Sequence, residues 1–163
     1  MWNAMAVVLL LALLGAGCRS SVDPDAPPDI RYGEDACDQC RMLISEPRYA
    51  AAYVTRQGEV RRFDDIGDML LYDAAHGEEV LRFWVHDYAT AAWLPAAQAV
   101  FVYSRALSTP MAHGIVAFGD PQPARELAAR VQGEILSFAE LRRRAAAGHL
   151  KVEHGPAGSH THR

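Results

Sequence analysis

The sequence predicts an α+β fold: two tandem ββαβ units followed by a C-terminal helix. Three observations carry this expectation. Short β-branched and aromatic runs alternate with stretches whose apolar residues recur at helical spacing. Both halves read in one order: strand, strand ending in Phe, Asp cap, helix, Gly, strand. The segments VRRFDD (60–65) and IVAFGD (115–120) take the same place in each half, which suggests an internal duplication.

Taken in order, Tyr49–Thr55 reads as a strand, Gln57-Gly58 as a hairpin turn and Glu59–Phe63 as the partner strand. Asp64 or Asp65 then caps a helix running to about Ala75, with Ile66, Met69, Leu70 and Ala74 at helical spacing and Gly77 as its stop. Asp64 and Asp65 have the composition of a catalytic carboxylate pair. A cap with its charge at the positive helix end explains them more simply. Val80–His86 is a strand rich in buried-type residues, and His86-Asp87 at its end offers an acid–base pair without a nucleophile. In the second half, Ala99–Tyr103 and Gly114–Phe118 read as strands joined by a loop at Ser104–Pro110. Asp120-Pro121 opens a helix through Val131, Gly133 stops it, and Glu134–Leu136 is a short strand. Ser137-Phe138-Ala139-Glu140 is a capping box that starts a last helix ending near Gly148.

The ends of the chain differ in character from its middle. Residues 1–17 read as an export signal, apolar from Ala4 to Leu14 and lacking a basic start apart from the terminal amine. The apolar run is shorter than the roughly 20 residues a membrane span needs. Leu14-Gly15-Ala16-Gly17-Cys18 resembles the lipobox of bacterial lipoproteins, which implies that Cys18 is lipidated and becomes the first residue of the mature chain. Residues 18–35, rich in Ser, Pro and Asp, are expected to be a flexible tether, and 36–150 the folded domain. Residues 151–163, with His154, His160 and His162, are expected to be a disordered tail that binds nothing specific. Arg19 after the lipidated Cys suggests outer-membrane sorting in a cell with two membranes, so the expected location is lipid-anchored to the cell or outer membrane, facing the periplasm or cell exterior.

A formal net charge of −4 removes the basic footprint of a nucleic-acid binder. No phosphate loop, Ser-His-Asp order or Gly-rich cofactor signature is present, so no enzymatic reading stands out. Three Cys, one of them spent on lipid, leave Cys37 and Cys40, which excludes a four-Cys zinc site. A C-x-x-C pair in an exported chain can be a strained disulfide, a redox switch or half a metal site.

The sequence around the pair favours metal. Cys37, Cys40 and Met42 fall within six residues, and Pro110-Met111-Ala112-His113-Gly114 repeats the two-residue spacing with Met111 and His113. Thiolate and thioether are soft donors, and soft donors select Cu(I). In an extended stretch, residues two apart point the same way, so Cys40 and Met42 would reach one ion together. The alternatives are that Cys37 and Cys40 form a structural disulfide, that Met42 fills a core, and that His113 is solvated. Met42 and Met111 stand 69 residues apart, and closing such a loop in a flexible coil costs about 3.8 kcal/mol. The set therefore suits a preformed fold.

The succession CDQCRMLISEPRYAAAYVT, EVRRFDDIGDMLLY, VHDYATAAWLPAAQAVFVYS and TPMAHGIVAF resembles the NosL-type accessory lipoproteins of nitrous oxide reductase over roughly Ala36–Leu141. The resemblance implies a membrane-anchored copper chaperone, not an enzyme, that binds one Cu(I) and delivers it to nitrous oxide reductase or another copper enzyme. It implies Cys40, Met42 and Met111 as ligands, with Cys37 at a first Cys that many members carry. His113 is added from its chemistry. Two positions depart from the pattern. Arg41 stands where Gly is common and brings a cation to the thiol. Asp68 stands where the sequence DIG is often followed by a further Cys.

Overall fold

The computed structural model describes Asp23 and residues 25–150. The signal (1–17), Cys18 and the tail (151–163) lie outside the described residues. Among the described residues, no helix is long and apolar enough to cross a membrane.

Among the described residues seven strands and three α-helices follow one another, and all but one strand match the sequence expectation. Strands β1 (Ala51–Thr55), β2 (Val60–Phe63), β3 (Val80–His86) and β4 (Trp93–Pro95) form an antiparallel sheet in the order β2-β1-β3-β4. Strands β5 (Val100–Tyr103), β6 (Ile115–Phe118) and β7 (Glu134–Ser137) form a second antiparallel sheet in the order β6-β5-β7. Helix α1 (Ile66–His76) connects β2 to β3, α2 (Pro121–Val131) connects β6 to β7, and α3 (Phe138–Ala146) follows β7. In each sheet the first strand of the unit is central. Its hairpin partner lies on one side and the strand after the helix on the other.

The helix boundaries follow from the capping residues. Asp65, Asp120 and Ser137 each accept a backbone N–H of the first turn, from Gly67, Gln122 and Glu140 respectively. Alternation along the strands sorts side chains between two clusters. Phe101, Ile115 and Ala117 face a core shared with Tyr53, Phe63, Val85, Phe138 and Leu141, while Val102, Val116 and Phe118 face Ala124, Leu127 and Ala128 of α2. Tyr53 is fully buried, with its ring centroid 5.5 Å from Phe63 and 5.4 Å from Phe83.

Two stretches differ from the sequence expectation. β4 is not among the strands expected from sequence: it is three residues long and ends in Pro95. It exists through pairing with Trp84–His86. Residues 29–35, expected as tether, lie against the first sheet. Ile30 is buried in the core, the Asp29 carbonyl accepts from Arg62, and the Tyr32 hydroxyl meets His86 Nε2 at 3.2 Å.

Candidate metal centre

The loop before β1 is a closed turn that directs both thiols inward. Ala36 pairs with Leu43 as an isolated antiparallel bridge. Inside that bridge, Cys37 N–H donates to the Met42 carbonyl at 2.8 Å, and Arg41 N–H to the Cys37 carbonyl at 3.0 Å. The turn is fixed to edge strand β2, because Asp38 N–H donates to the Arg62 carbonyl at 2.8 Å and Arg62 N–H to the Asp38 carboxylate at 2.7 Å. Arg41 has φ +66°, a left-handed conformation in which Gly is at ease and Arg is strained. Its guanidinium is exposed and lies 4.0 Å from the Asp38 carboxylate.

Both thiols are free and face the first turn of α1. Cys37 Sγ donates to Asp68 Oδ2 at 3.2 Å, and the donor atoms of Cys37, Cys40 and Asp68 all lie within 4.8 Å of one another. Asp68 is almost fully buried. Its other oxygen, Oδ1, accepts from His113 Nε2 at 3.1 Å. His113 can approach so closely because residue 67 is Gly: a Cβ there would lie 2.1 Å from His113 Cγ. The loop bearing His113 is also joined to the cap of α1, where Met111 N–H donates to Asp65 Oδ2 at 3.2 Å.

Burial dominates the electrostatics of the thiols. It pushes the Cys37 thiol up to about 12, and it raises Cys40 as well. Asp68 stays ionised. Burial would raise its pKa, but hydrogen bonds from His113, Cys40 and Cys37 outweigh it and hold the carboxyl below its ordinary value. Burial lowers the pKa of His113, but the Asp68 hydrogen bond and the charges of Asp65 and Asp68 reverse this and raise it. Its Nδ1 makes no hydrogen bond, and the Leu150 backbone lies near enough only to favour the charged ring. The resting centre is two neutral thiols beside a carboxylate paired with an imidazole. A soft cation that bound here would have to displace thiol protons.

Of the residues read from sequence, Cys37 and Cys40 meet directly, and His113 reaches them through Asp68. Met42 sits on the exposed lip of the turn and Met111 is half-buried on the facing loop. Both stretches are turns, with Arg41 and Ala112 at positive φ, so the two-residue alternation of an extended chain does not operate in either. Asp68 is the member that residue chemistry missed, since an Asp in a first helical turn reads as a response to the helix dipole. Its signal was positional: it occupies the place where the related pattern carries a thiol.

Three of the remaining sequence candidates, Asp65, His86 and Asp87, have structural roles. Asp65 caps α1. His86 donates through Nδ1 to the Ala50 carbonyl at 3.0 Å, accepts from Tyr32 and packs on Trp93, which satisfies both ring nitrogens. Asp87 accepts from Ala89, Thr90 and Gly119 and closes a turn.

The chain resembles known proteins along most of its length. A copper-binding lipoprotein NosL of Stutzerimonas stutzeri is 26% identical over 169 residues, covering 97% of this chain and 87% of that protein. The crystal structure of the copper chaperone NosL from Shewanella denitrificans superposes with a TM-score of 0.63 at 20% identity, over 72% of this chain and 96% of that one, so the two share a fold. The sequence model of the NosL family matches residues 31–146, and the chain belongs to the NosL family.

Proposed function

We propose that this chain is a copper chaperone without catalytic activity, anchored by lipid at Cys18 on the extracytoplasmic side of a membrane. It carries one Cu(I) to a copper enzyme, of which nitrous oxide reductase is the first candidate. The observation that carries the reading is the pair of free thiols gathered beside Asp68, in a turn that bears Met42 and next to the loop that bears Met111 and joins Asp68 through His113. The names of the relatives, a copper-binding lipoprotein and a copper chaperone, support it. Cys40 and Cys37 supply thiolates, and Met42 and Met111 supply thioethers from the lip. Such donors suit an ion that accepts two or three soft ligands. Met42 is 55% exposed, which suits a cargo that a recipient's ligand must reach. The folded domain in this reading is 36–150, with 18–35 linking it to the lipid.

The competing thiol–disulfide reading draws on the C-x-x-C pair. Thiols raised by burial are protonated at neutral pH and attack disulfides slowly, which weighs against it. Anaerobic Cu(I) titration of the reduced protein against a chromophoric competitor tests the copper reading, with residues 151–163 removed so that tail histidines do not compete. The expected result is one tight equivalent, lost in Cys40→Ala and weakened at least tenfold in Met42→Ala and Met111→Ala. Affinity indifferent to Cys40 rejects the assignment.

A further inference from the structure

The thiol turn is the tip of a short ribbon, and one side of that ribbon continues the segment that crosses the first sheet. Gly33 N–H donates to the Ile44 carbonyl at 2.8 Å and Ile44 N–H to the Asp35 carbonyl at 2.9 Å; the Ala36–Leu43 bridge and the Cys37–Met42 bond follow. Upstream, Pro28 and Ile30 are buried with exposed Asp29 between them, the alternation of an extended stretch lying on a surface. On β3, Phe83 and Val85 join the main core, so Arg82, Trp84 and His86 take the opposite face. The segment is fastened to that face by contacts of unequal weight. The Asp25–Arg82 pair is exposed and contributes little. The Tyr32 hydroxyl on His86 Nε2, at 3.2 Å, is partly buried. Arg62, in register with Trp84 across Ala52, serves both parts at once. Its Nε donates to the Asp29 carbonyl at 2.8 Å and lies 3.5 Å from the Asp35 carboxylate, while its backbone N–H and carbonyl both bond Asp38 inside the turn.

We propose that residues 28–35 form a strap that holds the thiol turn shut, with Arg62 as its positioning residue, and that the strap sets how fast Cu(I) leaves. The proposal rests on the copper reading and adds a control on release to it. Cys37 is fully buried, so a competing ligand reaches its sulfur only when the turn opens. Opening of this kind is a local equilibrium, governed by the bonds at the base of the turn rather than by global stability. A looser strap speeds entry and exit of the ion together, so rates change and affinity does not. On release Cu(I) passes to the competing ligand with its oxidation state unchanged. The two thiolates keep their electron pairs and take up solvent protons.

The test compares the reduced full chain in detergent with Arg62→Ala, Arg62→Lys and Tyr32→Phe, under anaerobic conditions. Amide hydrogen exchange of the metal-free proteins reports the turn without reference to copper. In R62A the Cys37, Arg41 and Ile44 amides should exchange about 5- to 30-fold faster, as for the loss of one or two hydrogen bonds, while those of Leu127 and Ala128 in α2 keep their wild-type rate. Release of Cu(I) to an excess of chromophoric competitor should speed up by a similar factor. Equilibrium affinity should change less than threefold, with the thiolate-to-copper absorption unchanged at saturation. R62K, which keeps a donor for the Asp29 carbonyl, should recover most of the protection and the slow release. Y32F should move both rates in the same direction by less. If R62A unfolds, Y32F decides: faster exchange at the three amides supports the strap, and unchanged exchange overturns it. Unchanged exchange in a folded R62A overturns the proposal and leaves the copper reading standing, as does faster exchange with unchanged release. A wild-type chain without tight Cu(I) binding rejects the copper reading and with it the control of release, and the exchange rates then decide the strap alone.

Discussion

At the scale of single residues, the centre depends on two glycines that do different work. Gly67 lies in the first turn of α1, where Gly→Ala ordinarily gains about 0.5–1 kcal/mol through helix propensity. Here the added methyl would overlap the imidazole of His113. Gly67→Ala should therefore lower Tm and loosen the Asp68–His113 pair, and the His113 imidazole resonances in NMR spectra should shift. An unchanged or raised Tm with unshifted resonances would show that the ring does not lie on the helix. Gly114 has φ +66°, and a Cβ there would come 2.2 Å from the Ser104 carbonyl oxygen. Conformational strain plus backbone overlap should make Gly114→Ala cost roughly 2–4 kcal/mol in denaturant unfolding. A cost below about 1 kcal/mol would mean that the loop carrying Met111 and His113 yields more easily than its hydrogen bonds imply.

At the scale of elements, helix α1 is the part on which the others converge. Its cap, Asp65, binds Gly67 N–H through one oxygen and Met111 N–H through the other, so one side chain both starts the helix and holds the facing loop. Loss of a cap costs about 0.5–2 kcal/mol, and here the loop is released as well. Asp65→Ala is expected to reduce stability by that amount and to weaken Cu(I) binding several-fold. Asp65→Asn, which keeps an accepting oxygen, should restore most of the stability. A full-affinity alanine variant would place Met111 outside the ligand set. The helices were legible in the sequence because caps, stops and apolar spacing are local signals: Asp65, Asp120, Ser137 and Gly77 mark their ends one residue at a time. β4 was not, since its three residues owe their conformation to Trp84–His86 across the sheet. The site was half legible for a related reason. Cys37, Cys40, Met42 and Met111 announce themselves by donor type, whereas Asp68 acquires its meaning only when the fold brings α1 against the thiol turn. The i, i+2 argument also failed on conformation, because Arg41 and Ala112 turn the backbone where an extended one was expected.

At the scale of the whole molecule, the copper reading needs the two sheets to keep a fixed relation, because it draws Met111 from the second unit and Cys40 from the first. Asp87, at the end of β3, is the joint. It forms a parallel bridge with Ala117 of β6, its Oδ2 accepts from Gly119 N–H at 2.8 Å, and the next residue, Tyr88, donates its N–H to the Ala117 carbonyl at 2.8 Å. Its Oδ1 meanwhile accepts from Ala89 N–H, Thr90 N–H and the Thr90 hydroxyl. Burial alone would raise the pKa of this carboxyl, but the backbone and hydroxyl donors overcome it and hold it below the ordinary value. A folded pKa below the unfolded value means that folding favours the ionised form. The contribution is complete above the unfolded value of about 3.9 and drains away as pH falls through the folded pKa. Charged hydrogen bonds contribute about 1.5–3 kcal/mol each at most, so Asp87→Asn should cost roughly 2–4 kcal/mol at neutral pH. The cost should shrink as the wild-type carboxyl is protonated. Unfolding curves of both proteins from neutral pH down to about pH 2 would therefore converge at the acid end. Parallel curves would show that Asp87 holds the sheets by shape alone. Because the copper reading draws donors from both units and Asp87 links their sheets, the same variant should weaken Cu(I) binding at neutral pH without touching a ligand, an effect that Thr90→Ala, which removes a donor from the turn but leaves the Gly119 bond, should not reproduce.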